Sequence, residues 1–358
     1  DLFSKVERRK AVAPRASRGE LAADLTGAPA NFTVEPVGIG SEYPVSGYVA
    51  VEDEIIQYTR VGDIFTIVQR GALNTVSADH KDEDLVQEVL VYTSKLAREI
   101  VYDLLTNYTG VPASQIDLAA WTAAAAQMTE LYTGYVATPE PVADLIGELE
   151  EQAGFSIWPN ISTGMIDFVA LRASAPTAEV TDENWIVKRS LRLKREDHKR
   201  VSQVWFYYAQ IDPTKNLEDR ANFRSRYVAV DLDAEDDDQY STPSIRVIYS
   251  RWVPQFGRNS AQTSAERMLS QFRDPPLEAV FNEHVSKADE LQLARFFTLR
   301  CQEVQDDIGL PKSITLAPVH IDRGEAEFGV RAQQVTFSTA PGDPGGVREI
   351  YIENDTAD

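Results

Sequence analysis

The chain has 358 residues, 43% of them hydrophobic and 25% charged, with a formal net charge of −21. That balance is ordinary for a soluble globular protein, and the length allows about two or three domains, each large enough to bury its own core. No apolar run approaches the ~20 residues of a membrane-spanning helix, and the shortage of clustered Lys and Arg argues against reading of duplex DNA sequence.

Residues 1–30 gather Lys5, Arg8, Arg9, Lys10, Arg15 and Arg18 ahead of a Gly/Ala/Pro-rich stretch, which predicts an arm or linker. The sequence starts on Asp1 rather than Met, so a missing N-terminal piece is expected. Residues 31–92 are short β-runs split by Gly and Pro, a β-hairpin-rich domain. Within them Gly47 to Leu85 reads as two hairpin arms. Val49, Val51, Ile55, Ile56 and Tyr58 lead to a turn at Val61-Gly62-Asp63. Phe65, Ile67 and Gln69 then alternate with Thr66 and Val68 until Arg70-Gly71 breaks the run, and a punctuated loop follows.

Residues 93–175 predict a small α+β domain. Leu96, Ala97, Ile100, Val101, Leu104, Leu105 and Tyr108 fall at helical spacing over Ser94 to Tyr108, with Gly110 as stop. Asp117 can cap a second helix carrying Leu118, Trp121, Ala125, Met128 and Leu131 on one face. Thr138-Pro139 opens a third, whose stripe is Val142, Leu145, Ile146, Leu149 and Ala153, with Gly154 ending it. Phe155 to Trp158 and Met165 to Leu171 form a hairpin across Ser162-Thr163-Gly164.

Ala173 to Thr181 is a plausible linker. Residues 182–340 then predict an antiparallel β-barrel or sandwich domain with a helical insert at Ser264 to Phe272. Its strands are expected at Trp185 to Leu193, Val204 to Ile211, Tyr227 to Asp231, Ile245 to Trp252, Leu277 to Val285, Leu293 to Val304, Ser313 to Ile321 and Phe328 to Ser338. Residues 341–358, rich in Gly, Pro and acids, read as an exit linker. The fold class is mainly β with α+β character, in several domains.

Candidate chemistry is sparse. The single cysteine, Cys301, excludes an internal disulfide and any all-cysteine zinc or iron–sulfur site; after Phe296, Phe297 and Leu299 it reads as a buried small hydrophobe. The acidic run Asp231 to Asp238 lacks the central Gly and flanking helices of an EF-hand, which favours a solvated loop over a cation site. His80, His198, His284 and His320 sit in separate segments with no partner at metal-ligand spacing. No G-x-S-x-G elbow is present, and Gly38-Ile39-Gly40 lacks the third Gly and the following helix of a phosphate loop. Paired acids such as Asp53/Glu54 and Asp306/Asp307 are common in so acidic a chain. Asp79-His80-Lys81 could be an acid–base pair, but reads better as a polar turn closing the hairpin. Trp205-Phe206-Tyr207-Tyr208 is a strand-like aromatic run, core by default and interface by preference. No catalytic, cofactor-binding or metal residue is assigned, and no enzyme activity is expected.

The pattern Asp53-Glu54-Ile55-Ile56, Tyr58-Thr59, Phe65, Arg70-Gly71, Thr75 and His80 resembles a segment that recurs in tail-tip proteins of long-tailed phages. Asp103 to Pro112 with Ile116-Asp117 and Trp121, and Pro141 to Ile146 followed by Phe155-Ser156-Ile157-Trp158, are similar to the helical segment of siphophage tail-tip (baseplate) hub proteins. The resemblance spans roughly Gly47 to Leu171 and thins to strand pattern beyond Thr181. It implies a structural virion protein at the tail tip, assembled in the bacterial host cytoplasm. Such a hub is usually a homotrimer whose barrel-like domains mimic the sixfold tube. It closes the tail tube, joins the distal tail ring and tape measure to the central spike or fibre, and opens as the genome passes. Some relatives hold an iron–sulfur cluster, which one cysteine does not match. Excess negative charge would then repel DNA in the lumen rather than bind it. The alternatives are a cell-wall or glycan-degrading tail enzyme, which would converge two acids and an aromatic platform in one pocket, and a receptor- or carbohydrate-binding module, which would expose Trp and Tyr on a convex tip.

Overall fold

The computed structural model describes residues 11–160, 163–172, 176–183, 185–232, 235, 242–287, 291–305, 308–323, 327–335 and 352–353. The chain begins with β1 (Val12–Ala13), β2 (Glu20–Leu21), β3 (Asn31–Glu35), β4 (Ser46–Val51), β5 (Glu54–Val61), β6 (Ile64–Gln69) and β7 (Val86–Leu96). With β8 (Leu131–Val136), all but β1 form a seven-stranded sheet in the order β2-β3-β6-β5-β4-β7-β8.

Two tight turns set its register. Val51 faces Glu54 across Glu52-Asp53, and Val61 faces Ile64 across Gly62-Asp63. Gly62 has φ 63°, as the sequence reading expects, but Glu52 takes φ 50° without being glycine, and so the first turn carries no glycine signal. Gly47 to Leu85 is therefore a three-stranded meander plus a loop rather than two arms. Its buried face packs Phe65 stacked on Phe32, edge-on to Tyr43 and tilted against Tyr58, with ring centroids 5.1, 5.3 and 4.5 Å away.

The expected N-terminal arm is not free from residue 11 onward. β1 pairs with β9 (Glu140–Pro141), β2 pairs with β3, and Leu21 and Leu25 are buried in the first core. Residues 1–10 lie outside the described part.

The helical layer starts later than periodicity predicts. β7 runs on to Leu96, and only then come α1 (Ala97–Asp103) and a π-helical stretch, Leu104–Thr109, closed by Gly110 at φ 77°. Asp117 caps α2 (Leu118–Ala124), its Oδ1 accepting the Ala119 and Ala120 amides at 3.0 Å each. The helix stops there. Leu131, expected on its face, opens β8 and is exposed. α3 (Val142–Ala153) follows the predicted stripe, which is entirely buried, and Gly154 ends it at φ 69°. The hairpin of β10 (Phe155–Asn160) and β11 (Met165–Ala170) pairs Phe155 with Ala170 through Asn160 with Met165.

The remaining elements are β12 (Glu179–Thr181), β13 (Arg192–Arg195), β14 (Gln203–Gln210), β15 (Phe223–Val230), β16 (Ile245–Tyr249), α4 (Arg258–Phe272), β17 (Leu277–His284), β18 (Phe297–Gln305), β19 (Pro311–Arg323), β20 (Glu327–Gln334) and β21 (Ile352–Glu353). They build two sheets, where the sequence left a barrel or a sandwich open for 182–340. One is six-stranded, β12-β18-β19-β20-β17-β13, and the other four-stranded, β16-β14-β15-β21. Neither is purely antiparallel, since β12–β18 and β14–β16 are parallel pairs. Part of the expected 173–181 linker is thus strand β12, and of the strand expected at Trp185 to Leu193 only Arg192 and Leu193 lie in a strand, with Ile186 in an isolated bridge to Glu283.

Strands β14, β15 and β16 of the four-stranded sheet, with α4, are inserted between β13 and β17. Those two strands pair with Arg195 opposite Leu277, and the Glu196 amide donates to Pro276 O at 3.0 Å. The insert packs elsewhere: Val204, Phe206, Tyr208, Tyr227, Ala265 and Leu269 share one core with Val101, Leu104, Trp121 and Leu149. One hydrophobic core thus joins the helical layer of 93–175 to the inserted strands and α4. The six-stranded sheet keeps a separate core with Val180, Phe281, Phe297, Leu299, Cys301 and Val330. Of the 341–358 exit linker only Ile352–Glu353 is described, paired with β15; the rest lies outside the described residues.

Candidate functional site

The residues that carry the phage-like resemblance converge on one carboxylate. Glu54 opens β5 directly after the Glu52-Asp53 turn and is fully buried. Its Oε1 accepts from Arg70 Nε at 2.6 Å and the Gly71 amide at 2.8 Å. Oε2 accepts from Arg70 Nη2 at 2.6 Å and the Ala78 amide at 3.1 Å, and lies 2.8 Å from His80 Nε2. Thr75 completes the clasp, its Oγ1 accepting the Ile55 amide at 2.9 Å and donating to Ala72 O at 2.7 Å. His80 is buried too. Its backbone pairs with Leu25 in both directions, and its Nδ1 lies 3.2 Å from Glu52 Oε2.

Backbone geometry makes Gly71 necessary. It sits at φ 56°, and a Cβ there would meet Thr75 O at 2.8 Å and the Ser77 amide at 3.0 Å. Burial alone would raise the Glu54 pKa, but the donors from Arg70, Ala78, His80 and Gly71 outweigh it and hold the carboxyl at about 2. A buried anion with all this donor capacity directed at it is a fastening: it pins the 70–80 loop to the hairpin.

The other sequence candidates are spent in similar ways. Asp63 accepts from the Gly38 and Gly40 amides at 2.7 and 2.8 Å, so the backbone cradle at Gly38-Ile39-Gly40 already holds an anion of the chain itself. Those amides draw the Asp63 pKa down. Asp53 is exposed and pairs with Lys215 at 2.6 Å, away from Glu54. Asp79 accepts the Gly27 amide at 2.9 Å, and Lys81 reaches Asp24 at 3.0 Å. Asp231 is buried beside Arg273 at 3.1 Å, and Glu235 receives Ser202 Oγ and Gln203 Nε2 at 2.8 Å each. Asp233, Asp236 to Asp238, Asp306 and Asp307 lie outside the described residues. His198, His284 and His320 are exposed on separate elements.

Two groups could hold a cation among the described residues. Glu52, His80 and Asp84 bring one ligand atom each within 4.8 Å of one another, as do Asp182, Cys301 and Glu303. In the first, Asp84 Oδ2 already accepts the Lys81 amide at 2.6 Å and His80 Nδ1 faces Glu52. In the second, burial pushes the Cys301 thiol up, away from the thiolate a metal needs.

Sequence reasoning missed a second polar cluster. Arg251, buried just beyond β16, makes bonds of 2.7 and 2.8 Å to the two carboxylate oxygens of Glu140 and lies 3.1 Å from Glu148 Oε2. Trp252 donates from Nε1 to the same Glu148 oxygen at 2.7 Å. Burial raises the Glu148 pKa against the downward pull of Arg251 and Trp252. Trp252 is fully buried and packs against Gly134, where a Cβ would come 2.4 Å from Cε3. Close by, Arg172 and Arg267 bond carbonyls at the C-terminal end of α3: Arg172 reaches Ala153 O and Gly154 O at 3.0 Å each, and Arg267 reaches Glu151 O. Burial and the neighbouring Arg172 lower the Arg267 pKa to about 10. The only sequence signal for this joint was an Arg-Trp pair interrupting an apolar strand.

No protein-family model matches the chain, and no curated protein matches it. Among solved structures it is similar to the 43 kDa tail protein of prophage MuSo2 from Shewanella oneidensis, at TM-score 0.40 and 10% identity over 89% of this chain and 94% of that one. It is similar to a tail protein from Neisseria meningitidis MC58, at TM-score 0.40 and 12% identity over 89% and 92%. A third is prophage tail protein gp18 from Listeria monocytogenes EGD-e, at TM-score 0.33 and 10% identity over 82% and 89%. The structural neighbours of this chain are phage and prophage tail proteins.

Proposed function

We propose that this chain is a structural virion protein of a long-tailed phage, the hub of the tail tip. One observation carries the reading: the residues that resemble tail-tip proteins are used for construction. Glu54, Arg70, Gly71, Thr75 and His80 fasten one another, while Tyr58 and Phe65 pack together in the core of the same sheet. A motif spent on holding a sheet together fits a building part better than a catalyst, and it favours a non-enzymatic role over a glycan-cleaving one.

In this reading the chain forms a homotrimer that closes the tail tube, meets the distal tail ring, tape measure and central spike or fibre, and lets DNA pass. The net charge of −21, multiplied in a trimer, would keep phosphate from adhering to the lumen. The test is the mass of the purified assembly, alone and mixed with the tail partners. A trimer is expected; a stable monomer that never self-associates beside those partners overturns the hub reading. In an assembled tail tip, lumen-facing acids should outnumber bases, and a neutral or basic lumen removes the repulsion.

A further inference from the structure

The four-stranded sheet has two unlike faces. Val204, Phe206, Tyr208 and Tyr227 turn into the core shared with α4, so by alternation Trp205, Tyr207, Arg226 and Tyr249 look the other way. Tyr207 stands opposite Arg226 on one side and Tyr249 on the other, and stacks on Tyr249 at 5.2 Å. Arg226 Cζ lies 4.9 and 5.7 Å from the Trp205 and Tyr207 ring centroids, and Arg220 Cζ 5.8 and 6.0 Å from the same two. Arg220, Arg224 and Arg226 line a single cleft of about 170 Å³ with the buried Tyr207 and Phe223.

In a chain with 56 acids against 35 Lys and Arg, these guanidiniums bond only neutral side chains among the described residues. Arg220 Nε donates to Tyr249 Oη at 3.3 Å, Arg224 Nη2 to Asn74 Oδ1 at 3.3 Å, and Arg226 Nη1 to Tyr207 Oη at 3.2 Å. No carboxylate pairs with any of them there. Acids close in sequence are spent on their own turns: Asp219 Oδ1 accepts the Ala221 amide at 2.9 Å, and Asp212 Oδ1 the Thr214 amide and hydroxyl at 2.9 and 2.7 Å. Each guanidinium therefore keeps N–H donors unspent, in the planar fork that matches a phosphate oxyanion. Size narrows the ligand, since the cleft falls below the ~300 Å³ at which pockets for drug-sized molecules begin. We propose that this cleft binds one phosphate-type oxyanion, as the free ion or as the phosphate end of a small monoester, between Arg220, Arg224 and Arg226. A phosphate near its dianionic form matches converged arginines better than a carboxylate of lower charge. A phosphodiester polymer fits worse, because it would lay further charges along a molecule of net charge −21. A lone anion feels that distant charge little, since it is screened beyond about 8 Å at physiological salt.

The test is calorimetric titration of the full chain, at fixed ionic strength, with inorganic phosphate, glycerol phosphate, acetate and a short oligothymidylate. Saturable binding of phosphate or glycerol phosphate at one site per chain is expected, and the tighter of the two names the source. Arg220→Gln and Arg224→Gln, both at exposed positions, should each weaken it about tenfold or more while the unfolding midpoint in chloride stays put. Arg224→Lys keeps the charge but loses the fork, and should weaken it about threefold or more. The unmodified chain gives a second readout. Saturating phosphate should slow phenylglyoxal modification of Arg220 and Arg224 about fivefold or more, and leave the exposed Arg300 unaffected. Binding of neither phosphate, equal binding of acetate, variants that bind as the parent does, or unprotected arginines each overturn the proposal. So does binding of oligothymidylate with neither small phosphate, which would make the face a nucleic-acid site instead.

Discussion

The two buried polar clusters solve opposite problems. At Glu54 one anion collects donors from a stretch no more than 26 residues away, and the result is a fastening inside a single sheet. At Arg251 one cation collects two acids, Glu140 being 111 residues distant, and the result joins segments that the chain visits far apart. Environment drives their carboxyls in opposite directions: direct donors hold Glu54 down, whereas burial lifts Glu148. A local clasp can surround its charge with backbone amides. A long-range joint has mostly side chains to offer.

The largest effects should come from removing either centre. Glu54→Ala leaves Arg70 and His80 facing an empty buried site and is expected to cost about 3–5 kcal/mol, with hydrogen exchange accelerating over residues 70–84. Trp252→Ala is expected to cost a similar 3–5 kcal/mol, but to loosen the helical layer and the four-stranded sheet together while leaving the Phe65 core protected. If urea titration of Trp252→Ala showed those two parts melting separately, the shared core would not be one cooperative unit.

Acid separates the clusters by sign. The folded-state pKa of Glu54 lies below the ordinary 4.5, so its contribution is present above about pH 4.5 and is lost as pH falls toward 2, by roughly 3 kcal/mol. Glu148 is raised, so its ionisation weakens the fold as pH climbs through its folded-state value, and mild acid should tighten that joint. Hydrogen exchange followed from pH 7 to 3 should show the 70–84 loop opening at the acid end and α3 gaining protection first. Glu54→Gln should flatten the loop's response, and an unchanged pH profile would remove Glu54 as its source.

Two smaller effects sharpen the comparison. Gly134→Ala pushes a methyl into the Trp252 ring and should cost about 1–3 kcal/mol, whereas Trp252→Ala combined with Gly134→Ala should cost less than the sum. Asp117→Ala removes the cap of α2 and should cost about 1 kcal/mol, a shift in the denaturation midpoint with no effect on the clasp.

Sequence pattern made α3 legible because its buried stripe has a helical period and Gly154 stops it. The β10–β11 hairpin was legible for the same kind of local reason. β8 was hidden because Leu131 and Met128 continue the spacing of α2, while the helix ends at Ala124. The Glu52-Asp53 turn was hidden because a glutamate occupies the left-handed position. Alternation shows which face of a strand is buried but not which strand it meets, and so the pattern that predicted a barrel or sandwich did not divide its strands between two sheets with different cores. The residues of the clasp were visible as a motif. Their convergence was not, because only the fold of the 70–80 loop brings Arg70, Gly71 and His80 onto Glu54.

The insertion between β13 and β17 also has a mechanical meaning. Its two ends leave and re-enter the six-stranded sheet side by side, bridged by the Arg195–Leu277 pairing and the bond from the Glu196 amide to Pro276 O. A pull on the flanks of that sheet is carried across this doorway by the ladder between the strands, and it loads the inserted unit only after the ladder unzips. Tension on one part of the chain is thereby kept from the Trp252 joint, as a shunt keeps current from a delicate branch.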